Sequence, residues 1–231
     1  MVAIVVPRRT VQLCRTITSK GWVNRHKNDV YVKQAAKDDL RSRSAYKLIE
    51  LQERFRFIHP HDYVIDLGST PGGWSLATAR ILSPKGLLCS VDLLPMVGIR
   101  ENVETHFILG DFQDKRTQDA ILDLGASKGR HKVDVVLSDM LGNSSGRPQQ
   151  DHFRSMDLCL TALDFSRTVL NRGGSLCAKY LRGSDEEEFI RELKRSFEDV
   201  KIVKPKASRS ESAEMYVLAR GCLDEKDEDA K

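Results

Sequence analysis

The sequence predicts an α/β fold built on a doubly wound, mostly parallel seven-stranded sheet. Three observations point there. Apolar, β-rich runs alternate with helical stretches from about residue 60 onward. A glycine-rich turn follows the first of those runs, and acidic residues end three others. Strands separated by helices become parallel neighbours with both faces covered. With 231 residues the chain can bury one such core.

Taken in order, a helical pattern is predicted over 38–55, with Leu40, Tyr46, Leu48, Ile49 and Leu51 as its apolar face. Strands are predicted at 63–67, 87–94, 106–109, 133–138, 175–181, 200–203 and 214–219. Helices are predicted at 74–82, 156–170 and 184–197. The last opens on a capping box, Ser184 to Glu187, and repeats apolar residues at Phe189, Ile190, Leu193 and Phe197. No internal repeat is visible.

Composition narrows the class. No apolar run approaches the ~20 residues of a membrane-spanning helix. Cys14, Cys89, Cys159, Cys177 and Cys222 are odd in number and share no C-x-x-C spacing, and the histidines show no metal spacing. Together they predict a reducing compartment and no metal site. Net charge is only +4, but it is unevenly placed: residues 1–28 carry Arg8, Arg9, Arg15, Lys20, Arg25 and Lys27 and no acid. Residues 201–210 are also basic, and those after Gly221 form an acidic tail expected to be disordered. Residues 1–27 read either as a mitochondrial transit peptide or as a basic arm that touches nucleic acid. "VAIVV" is too short for a secretory signal.

"DLGSTPGGW" (66–74) joins a buried strand to a helix through a turn with three glycines, which implies close approach of a ligand to the backbone. A dinucleotide fingerprint would read G-x-G-x-x-G, with a pyrophosphate at the helix N-terminus; here the spacing is G-x-x-x-G-G. Asp92, Asp111 and Asp139 follow three strands at the end where ligands of such sheets bind. Three carboxylates would repel phosphates. They suit a nucleoside carrying a cationic sulfonium, S-adenosylmethionine, with Asp92 on the ribose hydroxyls and Asp111 on an exocyclic amine.

Lys179 stands inside an otherwise apolar strand, so it needs an acidic partner or the strand's open end. With strands 133–138 and 175–181 adjacent, and the final strand antiparallel beside the second, Asp139, Lys179 and Glu214 converge on one rim. A purely structural ion pair is the competing reading.

Seven motifs then stand in order: "RSRSAYKL" (41–48), "DLGSTPGGW", "VDLLPM" (91–96), "GDF" (110–112), "LSDM" (137–140), "AKY" (178–180) and "SAEMYVLA" (212–219). Over residues 28–220 the chain resembles the FtsJ (RrmJ-like) family of ribosomal RNA 2′-O-ribose methyltransferases. The resemblance implies a class I, Rossmann-like fold with an antiparallel last strand and S-adenosylmethionine as cofactor. It implies a Lys-Asp-Lys-Glu tetrad at Lys47, Asp139, Lys179 and Glu214. Family cofactor contacts fall on Gly73, Trp74, Asp92, Asp111 and Asp139, with Pro71, Gly72 and Phe112 adjacent. The implied partner is ribosomal RNA in a large-subunit precursor particle, bound by a monomer without a membrane span. One departure is Met140-Leu141-Gly142-Asn143, where family members commonly have Met-Ala-Pro-Asn. The long, acid-free arm resembles the mitochondrial branch, which modifies a uridine of large-subunit rRNA.

On this reading a ribose 2′-hydroxyl is methylated by in-line displacement, and Lys179 is its base or a charged donor that orients it. Neighbouring cations favour the first role and neighbouring carboxylates the second. Arg41, Arg43, Arg54, Lys204, Lys206 and Arg209 are candidate phosphate contacts. Two other classes are an rRNA-binding assembly factor that does not need catalysis, and a nicotinamide dehydrogenase, which the glycine spacing disfavours. Another RNA, such as tRNA, is an alternative substrate.

Overall fold

The computed structural model describes residues 3–5, 29–142 and 144–223. Along the chain run β1 (Ala3–Val5), α1 (Val30–Lys37), α2 (Ala45–Phe55), β2 (Tyr63–Leu67), α3 (Gly73–Ile81), β3 (Leu87–Asp92) and β4 (Glu104–Leu109). There follow α4 (Lys115–Ser127), β5 (Val133–Ser138), α5 (Pro148–Val169), β6 (Leu170–Leu181), α6 (Glu186–Ser196), β7 (Phe197–Val203) and β8 (Glu214–Cys222). The strands form one sheet in the order β1-β4-β3-β2-β5-β6-β8-β7. Strand β8 runs antiparallel to both β6 and β7, and every other neighbouring pair is parallel. The strand order reverses at β2, which places a switch point at its carboxyl end.

All seven expected strands are present. The eighth, β1, lies within the segment read as an arm and pairs with β4 from Ala3 opposite Phe107 to Val5 opposite Leu109. The rest of the 1–27 arm, Cys14 and the acidic tail beyond Leu223 lie outside the described residues. Among the described residues no helix is long and apolar enough to cross a membrane.

Of the predicted helix over 38–55 only Ala45–Phe55 is helical, as α2, and a separate helix, α1, precedes the span. Asp29 caps α1 by accepting from the Tyr31 N–H at 3.1 Å, and Asp38 follows its last residue, its N–H donating to the Gln34 carbonyl. Asp39 is left-handed, and the carbonyls of Asp38 and Asp39 accept from the Arg80 guanidinium, so the chain turns before α2 begins. The proposed capping box of α6 does not form. The Ser184 hydroxyl bonds Asp185, whose backbone N–H is taken by the ring of buried His152 at 3.1 Å. Helix α5 starts eight residues earlier than its apolar pattern suggested, with Pro148 in its first turn.

Strand alternation sorts the core between two faces. Ile65, Cys89, Ile108, Val136, Ala178 and Val217 pack under α4, α5 and α6, together with Leu163, Phe165 and Phe189. Val64, Leu88, Val135, Leu137, Cys177 and Leu218 pack under α2 and α3, together with Leu48, Leu51 and Trp74. The carboxyl ends of β2, β5 and β6 and the start of β8 are left to form one rim.

Candidate active site

The rim is organised by the turn after β2. Gly68 and Gly72 have φ of 75° and 106°, which side chains rarely tolerate. A Cβ on Gly68 would lie 2.9 Å from Met140 Cα, so only glycine lets the turn meet the residue beyond Asp139. The turn is tied to β3 by the N–H groups of Gly68 and Ser69, which both donate to the Val91 carbonyl. Pro71 follows a cis peptide bond within it, and Gly73 opens α3.

Asp92 ends β3 at the turn's edge. Its carboxylate accepts from the Thr70 and Leu94 N–H groups, each at 2.8 Å. Burial raises the carboxyl above the usual range, opposed by those backbone bonds. Asp111, two residues beyond β4, is exposed and accepts from the Gln113 N–H at 3.0 Å. Because β3 and β4 pair with Asp92 opposite Leu109, the two carboxylates stand at neighbouring strand ends on the same edge of the sheet.

Trp74 and Phe112 contribute differently than their motifs suggest. The Trp74 indole is buried, donates to the Ser44 carbonyl at 2.9 Å and lies 5.7 Å from the Tyr216 ring. Phe112 is buried edge-on to Phe165, 5.1 Å between centroids. Both rings support the cleft from inside the core.

The tetrad residues meet as two ion pairs. Lys179 Nζ lies 3.1 Å from Asp139 Oδ1 and donates to the Asp139 carbonyl at 2.8 Å. Lys47 Nζ lies 2.7 Å from Glu214 Oε2. Both lysines are buried, at 6% and 7% exposure, as ion pairing permits. The register explains the convergence: Ser138 pairs with Ala178, while Lys179 and Leu181 face Tyr216 and Glu214.

Tyr216, which the sequence reading passed over, lies between the pairs. Its hydroxyl donates to Asp139 Oδ1 at 3.0 Å, and Lys47 Nζ sits 5.4 Å from its ring centroid. Its place two residues after Glu214, on the same strand face, was the available signal. Burial and then the Asp139 carboxylate hold its hydroxyl well above the ordinary range, so it stays a donor. Burial pushes the Glu214 carboxyl up, but Lys47, with Lys179 and Arg43 further off, outweighs this and leaves it lowered. Asp66, under the turn, is fully buried and bonded to Ser75. Burial first, then Asp139 and Asp92, push it up to about 8.

Most expected phosphate contacts are already engaged. Arg41 donates to the Val97 and Gly98 carbonyls. Arg43 pairs with Asp29, donates to the Ala207 carbonyl and lies over the Tyr31 ring. Arg209 also pairs with Asp29, and Lys204 donates to the Ser210 and Ser212 carbonyls. Arg54, over the Phe55 ring, and Lys206 are exposed. Among the described residues no group of His, Cys, Asp and Glu is arranged to hold a metal ion.

The donor set tests the cofactor. Two carboxylates at adjacent strand ends suit hydroxyls and an amine, and the turn between them and Asp139 keeps a buried Ser69 hydroxyl without a partner among the described residues. S-adenosylmethionine fits this set. The parallel sheet, the glycine turn at the switch point and the inserted antiparallel β8 define a class I S-adenosylmethionine-dependent methyltransferase.

Comparison with known proteins agrees. The family model for FtsJ-like methyltransferases matches residues 40–222. Two relatives are named ribosomal RNA large subunit methyltransferase E. The one from Pseudomonas fluorescens is 41% identical over 210 residues, spanning 90% of this chain and 97% of its own. The one from Stutzerimonas stutzeri is 44% identical over 207 residues, spanning 90% and 98%. A solved ribosomal RNA methyltransferase from Plasmodium falciparum superposes with a TM-score of 0.68 at 27% identity, covering 80% of this chain and 99% of that one. This chain belongs to the FtsJ-like methyltransferase family. It is a methyltransferase, and its cofactor is S-adenosylmethionine.

Proposed function

We propose that this chain methylates a ribose 2′-hydroxyl of large-subunit ribosomal RNA, at a uridine of mitochondrial rRNA within a precursor particle. The observation that carries the reading is the pair of lysine–carboxylate contacts on either side of Tyr216, at the sheet end that holds the cleft. When bound, S-adenosylmethionine supplies an electrophilic methyl on a sulfonium. The chain's own task is to hold a hydroxyl in line with it and to manage the hydroxyl's proton.

Lys179 is the group for that task. Asp139 holds its nitrogen at two points, through carboxylate and carbonyl, so the nitrogen is fixed before substrate arrives. A group positioned to take a proton contributes roughly 10²–10⁴-fold. Orientation of the hydroxyl adds to this. Tyr216 donates to the same Asp139 oxygen, while Lys47, over the Tyr216 ring, and Glu214 neutralise each other. Cofactor contacts are assigned to Pro71, Gly72, Gly73, Trp74, Asp92, Asp111, Phe112 and Asp139, with Trp74 and Phe112 contributing backbone and core support. Leu141 and Gly142 leave the loop beyond Asp139 freer than a proline would. The exposed cations Arg54 and Lys206 are proposed to contact the RNA backbone.

Ribosomal RNA as substrate is supported by the relatives' names, and the mitochondrial setting by the basic, acid-free residues 1–28. The deciding experiment maps ribose methylation across organellar and cytosolic rRNA after loss of the protein. One organellar large-subunit uridine should lose its mark. A loss confined to cytosolic rRNA or tRNA would reassign the substrate, and no change anywhere would end the reading. Fusing residues 1–27 to a fluorescent reporter should send it to mitochondria, and a diffuse reporter would remove that location.

Asp92→Ala should weaken binding of S-adenosylmethionine by ~1.5–3 kcal/mol, the range for a hydrogen bond to a charged group. Titration calorimetry measures it, and unchanged affinity would take the ribose contact away from Asp92.

A further inference from the structure

The segment from Leu93 to Val103 links β3 to β4 without a helix, and Leu93, Leu94 and Val97 on it are exposed. It follows directly from Asp92 and so borders the proposed cofactor site. Few bonds hold it. The Thr70 hydroxyl donates to the Leu94 carbonyl at 2.8 Å, and Arg80 reaches Glu101 at 3.1 Å. Between these two points, the Arg41 guanidinium donates one nitrogen to the Val97 carbonyl and another to the Gly98 carbonyl.

Arg41 also lies on the glycine turn. A Cβ on Gly72 would come within 2.6 Å of Arg41 Nη1 and 2.9 Å of Met96 Sδ. The guanidinium is therefore layered between the turn and the linking segment, touching both. Arg41 itself precedes α2, the helix that carries Lys47, by four residues. Three parts of the proposed site meet at one half-buried side chain: the turn, the segment beyond Asp92 and the start of the Lys47 helix. A planar fork that donates to two successive carbonyls is a geometry lysine cannot reproduce.

We propose that Arg41 is a positioning residue that clamps the Leu93–Gly98 segment onto the Gly72 turn and so shapes the cofactor cleft, instead of serving as a phosphate contact. This rests on the cofactor placement described above. It assigns the arginine to the cofactor side of the site and predicts that it contributes little to RNA affinity.

The test compares full-length wild type with Arg41→Lys and Arg41→Ala by three measurements. Hydrogen exchange of the cofactor-free protein should show faster exchange in residues 93–100 of both variants, with the β5 and β6 amides unchanged. Calorimetry with S-adenosylhomocysteine should show affinity about tenfold to hundredfold weaker, the span of one lost charge-assisted hydrogen bond. The KM for cofactor should rise by more than kcat falls. The slope of log RNA affinity against log salt should stay at the wild-type value.

The proposal is overturned if folded Arg41→Lys keeps wild-type exchange and cofactor affinity. The same holds if Arg41→Ala lowers the salt slope by about 0.7–0.9, as one lost phosphate contact would. Global unfolding of Arg41→Lys would also overturn it, by making the arginine a general stabiliser. If wild type failed to bind S-adenosylhomocysteine, the cofactor placement would fall, while the exchange result would still decide whether Arg41 clamps the segment.

Discussion

Lys179→Ala is expected to lower kcat and kcat/KM together by about 10²–10⁴-fold, the contribution of a positioned proton-transfer group. Cofactor affinity should fall far less than turnover, because of the assigned cofactor contacts the lysine bonds only Asp139, whose carboxylate keeps the Tyr216 hydroxyl, and neither Asp92 nor Asp111. The variant should fold. Asp139 keeps the Tyr216 hydroxyl at 3.0 Å and lies at the open rim, so its carboxylate retains a donor and access to water. Lys179→Arg should not rescue turnover, since a guanidinium keeps its proton and presents it with different geometry. RNA binding should fall little, one charge being a small share of a phosphate-dominated interface. The measurement is methyl transfer from labelled S-adenosylmethionine to large-subunit rRNA, with cofactor binding as control. A folded, cofactor-binding Lys179→Ala that methylates within a few-fold of wild type would remove Lys179 from the chemistry.

The parts of this site that were legible in the sequence share one physical origin. Asp92, Asp111 and Asp139 each follow an apolar run, and a run long enough to be a buried strand must release its next polar residue at the sheet's edge. Lys179 was legible for the complementary reason: an ammonium inside an apolar strand demands a partner, and the structure supplies Asp139. Lys47 was legible only through the family resemblance. On α2 it follows the same spacing as solvated helix lysines, and only the packing of α2 over β8 buries it. Tyr216 escaped because a tyrosine in an apolar strand reads as core, and its polar end matters only once Asp139 is known to lie beside it. The arginines misled in the other direction. Arg41, Arg43 and Arg209 looked like solvent-facing cations, but their partners are backbone carbonyls and Asp29, up to 180 residues away in sequence. Long-range carbonyl partners leave no trace in local composition.

Glu214→Ala is expected to destabilise the protein by ~3 kcal/mol at neutral pH, because it strands the buried Lys47 ammonium. The pair is close, 2.7 Å, and Lys47 is nearly inaccessible, while Glu214 is partly open to solvent, which places the effect at the lower end for a buried pair. Its pH dependence has a definite sign. The Glu214 carboxyl is lowered in the folded protein from its ordinary 4.5, burial being outweighed by Lys47, Lys179 and Arg43. Its stabilising contribution is therefore present above 4.5 and lost as pH falls through the lowered folded value. The stability gap between wild type and Glu214→Ala, measured by urea unfolding, should be widest near pH 7 and shrink on acidification. Adding Lys47→Met to Glu214→Leu should recover much of the stability, since an apolar pair of similar volume escapes the desolvation cost. That double variant separates structure from chemistry. If it folds and binds cofactor but does not methylate, Lys47 and Glu214 act beyond holding β8 to α2. If it folds and turns over normally, the tetrad reduces to Lys179 and Asp139, and the Lys47–Glu214 contact is a structural ion pair.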